Sequence, residues 1–323
     1  MDRRRFLIGS AAALASAPGF AQNIYPSHAV TIVNAFPPGG LNDIVTRPLA
    51  AAMEPILKQP VVVEAKQGAA GQVGAQFVAS AKPDGYTLLS HNTGISGYAE
   101  VDKLFGRPIK TSRADFIPLA RIVADPILFL INEQQPQRTL KEFIDYAKAH
   151  PDTLVFSSGG LYGASHLPLA YLERASGPLK LRHLPTNGGG PAIIAVLGGS
   201  AQVTTQSASA SLPHIKAGKL RPLATFGGTR SKAVPDVPTL KELGYDVEYY
   251  LWVGFFAPKG TPEPTTTTLR TAIGQAAHSD AYTTALANAG QELAYLDGPD
   301  FQKFWDMDGQ RTDEAVIAIG RQG

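Results

Sequence analysis

The chain has 323 residues, 44% of them hydrophobic and 17% charged, which suits one large or two moderate globular domains. It contains no cysteine, so disulfides, thiolate metal sites and a cysteine nucleophile are excluded. Residues 1–21 hold three arginines and one acid; beyond them 26 basic residues face 26 acidic ones, which removes the electrostatic motive for binding nucleic acid or an anionic membrane surface.

Residues 1–21 open with Arg3-Arg4-Arg5-Phe6-Leu7 and run through an alanine-rich apolar stretch to Gly19-Phe20-Ala21, a small-x-Ala pattern before Gln22. This is the pattern of a cleaved export signal, and RRRFL fits the twin-arginine form as well as the general secretory one. Ser10, Ser16 and Pro18 interrupt the run, and it falls short of the roughly 20 apolar residues of a membrane span. The expected destination is the periplasm.

Further along, VTIVNAF reads as a buried strand, and over 41–57 Leu41, Ile44, Val45, Leu49, Ala52, Met53, Ile56 and Leu57 recur at helical spacing. VVVEA (61–65), a helix around Val73, Phe77 and Val78, and YTLLS (86–90) continue a βαβ series. A second series begins at ILFLIN (127–132), followed by a Thr139/Glu142 capping box and a helix face of Leu140, Phe143, Ile144 and Ala147. LVFSS, KLRHLP, AQVTTQ and LRPLATF then alternate with the helical stretches SHLPLAYLERAS, PAIIAVLGG and SLPHIKAG. The aromatic run VEYYLWVGFF leads into three amphipathic helices, the last carrying Phe301, Phe304 and Trp305. The pattern predicts an α/β protein of two domains, each a mostly parallel sheet flanked by helices. The first is discontinuous, 22–124 plus 250–323, and the second is 125–249, so two chain crossings form a hinge.

Five junctions, FPPGGLND, KQGAAGQVG, SSGGLYGASH, LPTNGGGPA and TQSASAS, each lead from a strand into a helix. In open α/β sheets such junctions gather beyond the carboxyl ends of the strands, where helix N-termini present free amides and partial positive charge. Glycine lets a ligand approach the backbone, and Ser, Thr and Asn add short polar arms. Apart from Lys66, which heads the second, none of the five contains Lys or Arg, so a carboxylate suits them better than a polyphosphate.

Enzyme motifs are missing. KQGAAGQVG has GxxGxxG spacing rather than GxGxxG, GxxxxGK[ST] does not occur, and Ser96 in GISGY lacks the GxSxG frame. The seven histidines include no pair two to five apart. No catalytic residue, metal or cofactor is expected, and His166, beside Ser165, is expected to cap or brace its loop rather than act as a base. Phe36, His91 and Tyr162 are candidates for an apolar slot, which would favour an aromatic carboxylate.

Across essentially the whole chain beyond residue 21, the motifs FPPGGLNDIVTR, QGAAGQVGAQFVASAKPDGYTLL, SSGGLYGASHL, HLPTNGGGPAIIAVLGG, LPHIKAGKLRPLA and VPDVPTLKELGY, followed by WVGFFAPKGTPEP, occur in order. In these it resembles the periplasmic solute receptors of tripartite tricarboxylate transporters, the Bug proteins. The resemblance implies a type II-like periplasmic binding protein, a two-domain clamp that closes on a small carboxylate and delivers it to membrane permease subunits, working as a monomer. It also implies anion contacts from Pro38, Gly39, Gly40 and Asn42, with Asp43 and Arg47 bracing the turn and Asp43 either a cap or a contact. Gln67, Ala69, Ala70 and Gly71, with His91, Asn92 and Thr93, would complete that wall. Ser158, Ser165, Thr186, Asn187, Gly188, Gly189 and Gln206 would face them.

The chain departs from the family pattern in two places: Thr186 and Asn187 replace a common tyrosine and lysine, and Gln206 replaces a common acid. Glutamine supplies no charge for an ammonium, so a ligand without a cationic group is expected. A sensory receptor signalling to a membrane kinase and an exported hydrolase are the alternatives to transport.

Overall fold

The computed structural model describes residues 25–321; the expected export signal lies outside them. Strand β1 (Val30–Asn34) is flanked in parallel by β2 (Val61–Ala65) and β3 (Thr87–Asn92), with α1 (Leu41–Leu57), α2 (Gln72–Ala79) and α3 (Tyr98–Leu104) connecting or following them. Strand β4 (Phe116–Asn132) is 17 residues long and leads to α4 (Leu140–Ala149). Next come β5 (Val155–Ser158), α5 (Leu167–Ser176), β6 (Arg182–Pro185), α6 (Gly189–Leu197), β7 (Val203–Ser207), α7 (Ala208–Lys216) and β8 (Leu220–Thr225). The chain ends with β9 (Tyr250–Pro258), α8 (Glu263–Ala277), α9 (Asp280–Asn288), the short β10 (Leu296–Asp297) and α10 (Gly298–Ile319).

The strands form one sheet in the order β2-β1-β3-β9-β4-β7-β5-β6, with β8 and β10 also paired to β4. The sheet divides into two lobes because β4 changes partner along its length. Phe116–Pro126 pairs with β9, and Ile127–Asn132 pairs with β7 and β8. The expected two-domain α/β fold is present, with a mixed rather than mostly parallel sheet. Parallel pairing holds for β1–β3 and β5–β7, where helices make the crossovers. Around β4 and β9 the pairing is antiparallel, since these strands carry the chain out of the first lobe and back into it.

Leu41, Val45, Leu49, Met53 and Leu57 are buried along one face of α1, as their four-residue spacing requires. In α10, Trp305 and Phe301 pack on Phe256 with ring centroids 4.7 and 5.3 Å away. Trp305 Nε1 donates to Ser96 Oγ at 3.2 Å, and that hydroxyl donates to Asp308 at 2.6 Å. No helix among the described residues is long and apolar enough to cross a membrane.

Asp125 sits where β4 passes between lobes. Burial pushes its pKa up to about 7, against hydrogen bonds from Gln291 and from the Ala208 and Ser209 amides. A carboxyl whose folded pKa is raised contributes stability that is complete below its unfolded value and lost as pH rises through the folded one. Asp125→Asn removes that dependence, so its stability relative to wild type is expected to increase between about pH 4 and about pH 8. Urea unfolding at both ends of that range measures it, and a pH-independent difference would mean that Asp125 titrates as an ordinary acid.

Candidate functional site

The turn after β1 brings Phe36, Gly40 and the start of α1 to the face of the second lobe. Asn34 accepts the Phe36 amide at 3.2 Å and donates to Asp43, which also holds Arg47 at 2.7 Å. Asp43 therefore braces the turn. Asn42 accepts from Asn92 Nδ2 at 3.0 Å and donates to Ser90, and Asn92 in turn accepts the Gly94 amide at 3.1 Å, so two buried amides are locked in one orientation.

In the loop after β2, Gly68, Ala69, Ala70 and Gly71 all have positive φ, which for two alanines is strained. A relay holds it. The Asn92 amide donates to His91 Nδ1 at 2.8 Å, so the ring proton resides on Nε2 and is given to Tyr98 Oη at 2.8 Å; the Tyr98 hydroxyl donates to the Ala70 carbonyl at 2.7 Å. Burial holds the His91 pKa down at about 4, which keeps the imidazole neutral for this role.

From the second lobe, Ser165 accepts the Gly159 amide at 2.8 Å, and Thr186 closes its turn by donating to the Ser158 and Gly188 carbonyls. Gln206 donates to Thr204 at 3.2 Å, and its Oε1 lies 2.5 Å from where a Cβ on Gly189 would stand. His166 accepts the Tyr162 amide at 2.9 Å and stacks on His183 at 4.4 Å, so it braces its loop; burial and the neighbouring His183 lower its pKa to about 3. Ser158 Oγ is 2.7 Å from His183 Nε2. That pair does not line the inter-lobe cavity, and no ion pair with a carboxylate orients His183 among the described residues.

The two walls meet around a cavity of about 30 Å³ lined by Phe36, Gly40, Asn42, Ala70, Asn92, Ser165, Gly188, Gly189 and Gln206. Leu41, Gly159, Gly163, Ala164, Ser207 and Leu251 complete it. Gly40, Gly189 and Ser207 are the first or flanking residues of α1, α6 and α7, so three helix N-termini converge there. A Cβ on Gly40 would lie 3.8 Å from the Gly190 amide nitrogen and 3.9 Å from that of Gly189. Among the described residues the lining contains no ionisable side chain, so its electrostatics come from amides and helix dipoles alone. The volume is about that of one water, so anything larger enters only when the lobes part.

Of the residues expected at the site, Pro38, Gly39, Gln67, Ala69 and Asn187 are exposed and do not line the cavity, because each turn presents its neighbour inward instead. Asp43, Ser158, Thr186 and His166 support the turns. Gly71 packs behind the wall, where a Cβ would meet His91 Nε2 at 2.4 Å. Thr93 is turned to the Trp252 amide, and Tyr162 donates to the Gly320 carbonyl at 2.7 Å, across the lobes. His91 lies one layer behind the lining, in edge contact with Phe36 at 5.0 Å. Gly159, Gly163 and Ser207 lie within the glycine and serine junctions and were within reach of that signal. Leu251 was not, since it arrives on antiparallel β9.

A larger groove of about 1000 Å³ lies between α5, α10 and residues 246–250. Size alone would favour it, but none of the converging helix N-termini reaches it.

The chain matches the family model described as tripartite tricarboxylate transporter family receptor over residues 45–320. The solved periplasmic binding protein BugD is similar with a TM-score of 0.84 and 30% identity over 92% of this chain and 99% of that one. MatC of Rhodopseudomonas palustris with bound malate gives 0.82 and 30% over 90% and 99%. An R. palustris protein with adipate gives 0.85 and 28% over 92% and 98%.

Proposed function

The chain belongs to the tripartite tricarboxylate transporter receptor family, of periplasmic solute-binding proteins, and from that premise we propose that it captures a small organic carboxylate between its lobes and passes it to the membrane permease of such a transporter. The carrying observation is the convergence of α1, α6 and α7 N-termini on a cavity without ionisable side chains. Like partial charges brought together are stabilised by an anion between them. The Gly40, Leu41 and Asn42 amides and those of Gly189 and Gly190 find no acceptor among the described residues, so they are the donors assigned to the carboxylate. Malate and adipate in the solved relatives fit the same chemistry. In this reading the domains are 22–124 with 250–323, and 125–249, hinged where β4 and β9 cross.

Gln206 sets the ligand's far end. An ammonium there would be buried without a carboxylate, so amino acids are disfavoured. Thermal unfolding with mono- and dicarboxylates and amino acids is the test: a carboxylate at a hundred times its Kd stabilises by about 2.7 kcal/mol. Gln206→Asp is expected to weaken a dicarboxylate by like-charge repulsion and to improve amino acids. Stabilisation of the wild type by amino acids alone would overturn the carboxylate assignment.

A further inference from the structure

We propose that Tyr162 is a closure latch: carried by a binding loop of the second lobe, its side chain engages the C-terminal end of α10 in the first and holds the lobes together from outside the cavity. The Tyr162 hydroxyl donates to the Gly320 carbonyl at 2.7 Å, and its ring meets that of Phe105 edge-on with centroids 5.9 Å apart. Gly320 caps α10, and the last carbonyls of a helix lack helical amides and carry partial negative charge, so a phenol donor suits that end. Phe105 is fixed within its own lobe. The Arg107 and Arg321 guanidinium groups lie 5.0 and 5.8 Å from its ring, and Arg321 donates to the Leu104 carbonyl at 2.8 Å.

Tyr162 is held as firmly on its own side. Its backbone is left-handed at φ +54°, a strained conformation for a side chain of this size, and its amide donates to His166 Nδ1 at 2.9 Å. Gly163 and Ala164, the next two residues, line the inter-lobe cavity, whereas Tyr162 does not. The strained turn thus sends the ring onto the other lobe while its neighbours face the cavity. Leverage follows from α5 running against α10. Tyr171, nine residues after Tyr162, reaches the carbonyl of Arg311, nine residues before Gly320, at 3.4 Å. The Tyr171 ring lies 5.8 Å from that of Tyr249, beside the crossing of β4 and β9. At 1.5 Å per helical residue, the Tyr162 contact stands roughly 13 Å farther along α10 from that crossing, where parting of the lobes displaces it most.

The role rests on the carboxylate capture proposed above, but its test contains no ligand, so the two fail separately. Because the chain has no cysteine, a cysteine pair at exposed Val62 of β2 and Ile194 of α6 labels one site on each lobe. Energy transfer between the labels reports lobe separation in the unliganded protein. Tyr162→Phe keeps the ring and removes one hydrogen bond, and is expected to lower the ratio of closed to open molecules about fivefold at unchanged circular dichroism. Phe105→Leu leaves that hydrogen bond in place and is expected to lower the ratio about threefold. A longer separation in Tyr162→Phe supports the latch, and transfer equal to that of the labelled parent overturns it. If that variant does not fold, Phe105→Leu decides by the same two readings.

Discussion

Replacing Gly160 by alanine is expected to weaken carboxylate binding by about a hundredfold while lowering the stability of the unliganded protein by only about 2 kcal/mol. Gly160 has φ +131°, and a Cβ there would stand 2.6 Å from Ala70 Cβ and 3.0 Å from Ala70 Cα, on the opposite lobe. The backbone of one wall thus rests directly on the other. Gly188 repeats the contact, with a Cβ 2.7 Å from Pro37 Cδ. A methyl group at Gly160 holds the lobes apart and leaves the amides of one wall too far from a ligand on the other. Calorimetry measures the affinity, and small-angle scattering shows whether ligand still compacts the chain. Ala70→Gly in the same background removes one of the two clashing carbons and relaxes a residue at φ 54°, so it is expected to recover about tenfold. Recovery of nothing would mean that strain in the Gly160 turn, rather than blocked closure, causes the loss.

The second large effect is on stability. Gly71→Ala is expected to cost about 4 kcal/mol and to lower the melting temperature by about 10 °C. Its φ is +96°, and the added methyl would meet His91 Nε2 at 2.4 Å and Phe36 Cζ at 2.7 Å. His91 is bonded at both nitrogens and buried, so it does not move aside without breaking the relay to Ala70. Gly39→Ala is the control: its φ is +86°, yet no atom lies within 4 Å of the new carbon, so only the backbone term of about 1 kcal/mol remains. Thermal and urea unfolding of both variants separate the two causes, and equal losses would assign the whole effect to backbone strain.

Much of the fold was legible because it is written locally. The spacing of Leu41, Val45, Leu49, Met53 and Leu57 marks α1 over 41–57, and Phe301 and Trp305 mark the buried face of α10. The first half of β4 was not legible. FIPLARIVADP carries two prolines, an arginine and an aspartate, which break the apolar run of a buried strand. Arg121 lies over Phe304 and Asp125 is held by Gln291, 173 and 166 residues away from their partners at Ala294 and Gln291 respectively. Only those distant partners make the two charged residues compatible with the sheet.

The candidate site divides in the same way. Sequence alone determined that five strand-to-helix junctions are bare, short-armed and, apart from Lys66 at the start of one, free of Lys and Arg, since these are properties of composition at a turn. Tertiary structure decided which atoms of each junction face inward. Gly68 at φ +136° and Gly188 at φ +154° rotate their loops so that Ala70 and Gly189 line the cavity while Gln67, Ala69 and Asn187 face solvent. It also decided that the walls meet, through Gly160 on Ala70 and Gly188 on Pro37, contacts between residues 90 or more positions apart. A turn's composition restricts its own dihedrals, but the surface it presents depends on the packing that holds it, and that packing comes from the other lobe.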